Sequence, residues 1–221
     1  MTIALGINFG DYVLLAADTR TTFGWPNLTV SYTDESEKIQ KTSFGLITGA
    51  GRTNLLDSVK NRLAKQELTN TDQIFEIIKE ERLNLLRRLL ITENDIALTG
   101  WVYSYITILN DAPKLRLDMV HPSLGEGLAR WEENKPAIIC PYEASKEEAD
   151  KICADFNKVI KPSTEFATVE ESYKYHRQNI GELVRQIQPK YPSISRCYQI
   201  GIHKLDGSMT ISPIIKIDES P

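Results

Sequence analysis

Thr2-Ile3-Ala4-Leu5-Gly6-Ile7 opens a run that continues through Asn8-Phe9-Gly10-Asp11 to Tyr12-Val13-Leu14-Leu15-Ala16-Ala17-Asp18-Thr19-Arg20-Thr21-Thr22. Ile3 to Ile7 is apolar with β-branched members, the next four residues carry turn chemistry, and Tyr12 to Ala17 is apolar again. The segment reads as a hairpin. Its second arm barely alternates, which predicts a strand covered on both faces. Outward from it, residues 21–37 are polar and broken by Gly24-Trp25-Pro26-Asn27, so a loop or irregular excursion is expected there. Lys38-Ile39 and Ser43 to Thr48 read as two short strands, and Gly49-Ala50-Gly51 ends the second.

Helical periodicity follows. Leu55, Leu56, Val59 and Leu63 share one face, and Ile74, Ile77, Ile78, Leu85, Leu86 and Leu89 form the stripe of a second helix. Leu98 to Leu109 and Leu115 to Val120 read as strands around a turn at Asn110-Asp111-Ala112-Pro113, with a short apolar run at Pro136 to Cys140. Two further helices begin with capping boxes, Ser145 with Glu148 and Thr168 with Glu171. Ala149, Ile152, Phe156 and Val159 make the stripe of one. Val169, Tyr173, His176, Ile180, Val184 and Ile187 make that of the other. A hairpin, Cys197 to His203 and Met209 to Ile217 around Asp206-Gly207, closes the chain. Helix pairs between sets of hairpin-linked strands suit antiparallel sheets with helices outside them, an α+β class without strict βαβ alternation. No composition shift marks a boundary, so residues 1–221 are expected to form one domain.

The chain has 221 residues, 41% of them apolar and 25% charged, and a net charge of -4. Those proportions exclude wholesale disorder. A mildly acidic chain is poorly suited to nucleic acid or an anionic membrane. No stretch approaches the roughly 20 apolar residues of a membrane span. The first residues lack a basic segment, so no signal peptide is expected. Cys140, Cys153 and Cys197 are far apart and no CxxC occurs, so neither a disulfide framework nor a cysteine zinc site is expected and a reducing cytoplasm is the expected home. His121, His176 and His203 are scattered, so no metal is expected.

Thr2 carries the chemistry of most interest. Initiator methionine is removed when the next residue is small, and removal of Met1 would leave Thr2 with a free α-amine beside its hydroxyl. A threonine hydroxyl is a weak nucleophile until a base takes its proton, and an N-terminal amine of pKa about 7.7–8.0 is such a base. A small second residue is also common without any such role. Taken in order, Thr2 to Ile7, the stretch Leu15-Ala16-Ala17-Asp18-Thr19-Arg20-Thr21-Thr22, Lys38-Ile39 and Ile47-Thr48-Gly49-Ala50-Gly51 before a helix resemble a proteasome-type peptidase of the N-terminal nucleophile hydrolases, the 20S β-subunit-like proteins and their bacterial homologues. The motifs cover residues 2–60, and the order of helices and strands extends the likeness along the chain.

That resemblance implies a four-layer αββα sandwich and hydrolysis of peptide bonds without a cofactor. It implies Thr2 as nucleophile and Asp18 as the group that holds Lys38. Lys38 would stand beside the Thr2 hydroxyl, and the Gly49 N–H would form the oxyanion hole. Lys41 and Gly51 are the nearest competitors for the last two roles. It also implies self-assembly into a ring or related homo-oligomer acting on peptide or unfolded protein, with any ATPase or cap partner unspecified. The second half departs from the family. The Gly-Ser-Gly stretch is replaced by Ile138-Ile139-Cys140-Pro141-Tyr142. The Asp expected after the last helix is absent from Tyr191-Pro192-Ser193-Ile194-Ser195-Arg196-Cys197, where Ser195, or Ser193, stands in the helper position. A catalytically weak or inactive ring subunit with an assembly role is therefore the alternative, and transfer to an amine is a variant of hydrolysis. Phosphate binding at Gly49-Ala50-Gly51 is disfavoured, because Asn54 occupies the third small position and no GK[ST] follows. Arg82, Arg87 and Arg88 with Glu76, Glu80 and Glu81 read as a solvated helix face. Trp25 is assigned weakly to a pocket or subunit contact.

Overall fold

β1 (Ala4–Asn8) and β2 (Tyr12–Asp18) form the expected hairpin in a computed structural model that describes residues 2–25, 28–124 and 127–217. Every residue of both strands is buried. The cause is visible in the pleat, which sends successive side chains to opposite faces. Tyr12, Leu14 and Ala16 join one core, with Ile180, Val184 and Ile187, whereas Val13, Leu15 and Ala17 join another, with Val102, Leu115 and Leu117.

The remaining elements, in chain order, are β3 (Thr21–Trp25), β4 (Leu28–Thr33), β5 (Gln40–Lys41), β6 (Leu46–Ala50), α1 (Thr53–Lys65), α2 (Asp72–Arg87), α3 (Glu93–Ala97), β7 (Gly100–Leu109), β8 (Ala112–Val120), β9 (Leu128–Arg130), β10 (Pro136–Ile139), α4 (Lys146–Asn157), a 3-10 turn (Ser163–Glu165), α5 (Val169–Ile187), β11 (Cys197–Lys204), β12 (Met209–Ile211) and β13 (Ile215–Lys216). The chain is thus mixed α and β with several sheets. One sheet runs β10-β1-β2-β11-β12 with β13 also on β11, another runs β5-β6-β7-β8-β9, and β3 and β4 form a separate ribbon. A third core packs Leu55, Val59, Ile74, Ile77 and Ile78 of α1 and α2 against Ile47, Trp101 and Tyr103. Where the two larger sheets meet, Gly6 allows close approach. A β-carbon added there would lie 2.6 Å from Val102 Cγ1 and 2.8 Å from Leu117 Cδ1. Among the described residues, no helix is long and apolar enough to cross a membrane.

Both capped helices start where expected. Ser145 Oγ accepts from Glu148 N while the Glu148 carboxylate accepts from Ser145 N. At α5, Thr168 Oγ1 accepts from Glu171 N, but the Glu171 carboxylate reaches back to Ala167 N instead. Several expectations are corrected. Residues 21–25 and 28–33 are strands of a ribbon, not a loop. Lys38 and Ile39 lie outside any ladder, their N–H groups facing Gln199 Oε1, and the strand begins at Gln40. Helix α2 stops at Arg87, and Leu89 leaves the stripe with a φ of 56° and 89% exposure. Helix α3, which carries its own capping box from Thr92 and Asp95, and strand β9 were not anticipated. Met1, Pro26 and Asn27 and the Trp25 side chain, on which parts of the sequence reading fall, lie outside what is described.

Candidate functional site

Thr2 lies two residues before β1, and Asp18 ends β2, its hairpin partner. The antiparallel register pairs Ala4 with Ala17, so the start of one strand lies beside the end of the other. Ile3 N donates to Asp18 Oδ1 at 3.0 Å. Asp18 Oδ2 accepts from Arg20 N and Ser195 N, each at 3.0 Å. The Lys38 ammonium is 3.1 Å from Thr2 Oγ1 and donates to Arg20 O at 2.8 Å. Its segment is held on both sides, by Gln199 Oε1 and by Thr48 Oγ1, which donates to Lys38 O at 3.2 Å. Thr2, Asp18 and Lys38 are all buried, Asp18 completely.

Burial sets the electrostatics. It pushes the Asp18 carboxyl up to about 6, against the opposing pull of three backbone donors and the Lys38 charge. It pulls the Lys38 ammonium down, and the Asp18 charge opposes this. A second desolvated lysine, Lys60 of α1, pulls it further the same way, while Asp57 opposes. Lys60 lies 3.7 Å from Asp57. A lysine held in this way next to a hydroxyl favours loss of the hydroxyl proton through its charge, and in its neutral form it can accept that proton.

The other sequence candidates fall differently. Gly49 lies in β6 opposite Trp101, and a β-carbon there would be 2.6 Å from Gly100 O. Gly51 follows the strand with a φ of 133°, and a β-carbon added there would meet Thr99. Among the described residues no hydrogen bond joins either glycine to Thr2. Lys41 is exposed in β5, away from the role Lys38 fills sterically. Ser195 is buried and meets Asp18 through its backbone. Its hydroxyl accepts from Cys197 N at 2.8 Å. Ser193 donates instead to Glu143. Residues with no individual sequence assignment also shape the site. Arg20, inside the quoted motif, bridges Asp18 and Lys38 through its backbone. Gln199 and Asp34 carried no sequence signal. Two surface grooves, about 460 Å³ between α4 and α5 and about 490 Å³ beside Trp131 and Cys153, are not lined by Thr2, Asp18 or Lys38. Among the described residues no group of three or more His, Cys, Asp or Glu side chains is arranged to hold a metal.

No family model and no curated protein sequence matches this chain. Solved structures do. Anbu from Hyphomicrobium sp. strain MC1 is 14% identical, with 99% of this chain and 88% of that chain covered at a TM-score of 0.62. Anbu from Yersinia bercovieri, described as an ancestral beta-subunit, is 15% identical, with 98% and 87% covered at a TM-score of 0.63. A Gly-1 mutant of the Hyphomicrobium protein aligns at 13% identity and a TM-score of 0.63. The likeness is one of fold. This chain shares the fold of those proteins over nearly its whole length.

Proposed function

We propose that this chain is a proteasome-like threonine peptidase, a single domain that hydrolyses peptide bonds with Thr2 after removal of Met1. The observation that carries the reading is the 3.1 Å approach of the Lys38 ammonium to Thr2 Oγ1, with Asp18 accepting from the N–H of the next residue, Ile3. The Thr2 hydroxyl attacks the carbonyl carbon, and its proton passes to the α-amine. The oxyanion forms against a backbone N–H of the Gly49 to Gly51 segment. The amine proton goes to the leaving nitrogen, and water then cleaves the ester, returning the hydroxyl to Thr2. Lys38 lowers the proton affinity of the hydroxyl, and Asp18 keeps Lys38 charged. No cofactor takes part.

The three cores, helix against sheet, sheet against sheet and sheet against helix, support a four-layer αββα sandwich as the finer description of the fold. The fold likeness to a protein described as an ancestral beta-subunit supports assembly into a ring or related homo-oligomer. Exposed apolar residues at Leu83, Leu89 and Leu90 and at the Ile108-Leu109 tip suit contacts between copies. The substrate is a peptide or unfolded protein, and the setting is the cytoplasm. Hydrolysis of a panel of fluorogenic peptides by the Met1-free protein tests the activity. Turnover lost in Thr2→Ala supports it. Absence of turnover from the whole panel by Met1-free protein favours a structural ring subunit, and product formed only with an added amine favours transfer.

A further inference from the structure

The turn after β2 carries an ion pair that the catalytic reading does not use. Both arms of the Arg20 guanidinium meet Asp34, Nε to Oδ1 at 2.7 Å and Nη2 to Oδ2 at 2.8 Å. Its third nitrogen donates to Pro192 O at 2.6 Å, and its face lies 4.0 Å from the Tyr32 ring centroid. Asp34, just past β4, is held in turn. Its carbonyl accepts from Thr19 Oγ1 at 2.6 Å, and Ser36 N donates to Thr19 O at 3.2 Å. Through Arg20, one carboxylate therefore ties together the β3–β4 ribbon, the 19–20 turn and the 192–195 segment.

Those last two segments supply two of the three N–H groups on Asp18, and the Arg20 carbonyl is an acceptor for the Lys38 ammonium. We propose that Asp34 is a positioning residue for the Thr2–Asp18–Lys38 cluster, acting through the Arg20 fork, whose third nitrogen holds Pro192 O, to fix the backbone donors of Asp18 and the carbonyl acceptor of Lys38. This deepens the threonine-peptidase reading and rests on it. The forked geometry matters, because a planar guanidinium holds a carboxylate at two points and sets the orientation of its own peptide. An ordinary surface pair has little such leverage. This one is mostly shielded, with side-chain exposures of 12% and 29%.

The groups facing Asp18 make the test directional. They are Lys38 from the segment before β5 and the N–H groups of Ile3, Arg20 and Ser195, while Asp57 and Lys60 of α1 act on Lys38. Deleting the Asp34 charge by itself stabilises the Asp18 carboxylate and lowers its titration midpoint. Loosening the two backbone donors raises it. The Asp18 side-chain carboxyl is followed by 13C NMR in the full-length protein, in wild type, Asp34→Ala and Asp34→Asn, beside the pH dependence of peptide-epoxyketone labelling. The positioning role predicts an Asp18 midpoint above the wild-type value of about 6 in Asp34→Ala. Labelling at pH 7 is then slower by about three- to tenfold, with half-saturating inhibitor unchanged. Asp34→Asn keeps an acceptor for Arg20, and its midpoint does not rise.

A midpoint in folded Asp34→Ala that is unchanged or lowered overturns the proposal. If that variant fails to fold, Arg20→Lys, which keeps the charge and loses the fork, takes its place with the same expected rise, and a flat midpoint there is equally fatal. Wild type that binds no inhibitor, with the midpoint still rising in the variant, removes the peptidase reading and leaves the positioning intact.

Discussion

Asp18 and Lys38 oppose each other in sign and share a problem, since burial disfavours the charged form of both. The ordinary carboxyl value of 3.8 rises to about 6 in the folded chain. Between those values the folded state binds a proton that the unfolded state has released. Asp18 therefore contributes stability that is present below about pH 4 and lost as pH rises through about 6. Lys38 runs the other way, its contribution present above its ordinary 10.5 and lost as pH falls through its depressed folded value. Burial thus works against the charged pair on which the proposed chemistry relies. Turnover is expected to fall about tenfold per pH unit below about 7.7–8.0, as the Thr2 amine is protonated, and more steeply below about 6, as Asp18 takes up a proton and Lys38 loses its counter-charge. A pH–rate profile that does not steepen below about 6 would remove Asp18 from the mechanism. Lys38→Ala is expected to lower turnover by about 100-fold or more while circular dichroism stays native. Thr2, Asp18 and Lys38 were legible because each sits in a short ordered motif. Asp34 was not, because one polar residue in a polar stretch carries no signature until the fold brings Arg20 to it.

At the scale of elements, the readable pieces were those with strong period or explicit caps. β2 announced its two-sided burial by failing to alternate. α4 and α5 announced their starts through Ser145 and Thr168, each of which accepts from the backbone N–H three residues on. Ser145→Ala and Thr168→Ala are each expected to cost about 1 kcal/mol in urea unfolding. A change below about 0.3 kcal/mol at either site would show that its cap is replaced by water. The β3–β4 ribbon escaped notice because residues 21–37 are mostly polar and broken by Gly24-Trp25-Pro26-Asn27. Phe23 and Tyr32 are both more than half exposed, and strand pairing there is sustained by the ladder and the Arg20 anchor. The end of α2 was misjudged because Leu85, Leu86 and Leu89 keep helical spacing past the residue where the backbone turns to positive φ. Periodicity reports which side chains are apolar, whereas the helix end is set by where the chain must turn toward α3.

Across the whole molecule, the fold depends on two sheets approaching closely. Hairpin-linked strands and outer helices could be read from the chain, but the strand order could not. Nothing local says that β10 joins the free edge of β1, or that β11 joins that of β2, since both pairings are long-range. Gly6 is the position where sheet spacing is most directly testable. Gly6→Val inserts bulk against Val102, Leu117 and Leu15. The expected destabilisation is about 1–3 kcal/mol, with one cooperative transition by both near- and far-ultraviolet dichroism. A neutral effect would mean that the sheets separate freely there.

The central claim is that the Thr2 hydroxyl is the nucleophile and its amine the base. Intact mass, before and after incubation with a peptide epoxyketone, tests it most directly, because that reagent closes a ring using both groups. The predicted result is a protein lacking the mass of Met1 that gains one inhibitor, with no gain in Thr2→Ala. A protein that has lost Met1 and gains nothing, or one that gains inhibitor in Thr2→Ala, contradicts it.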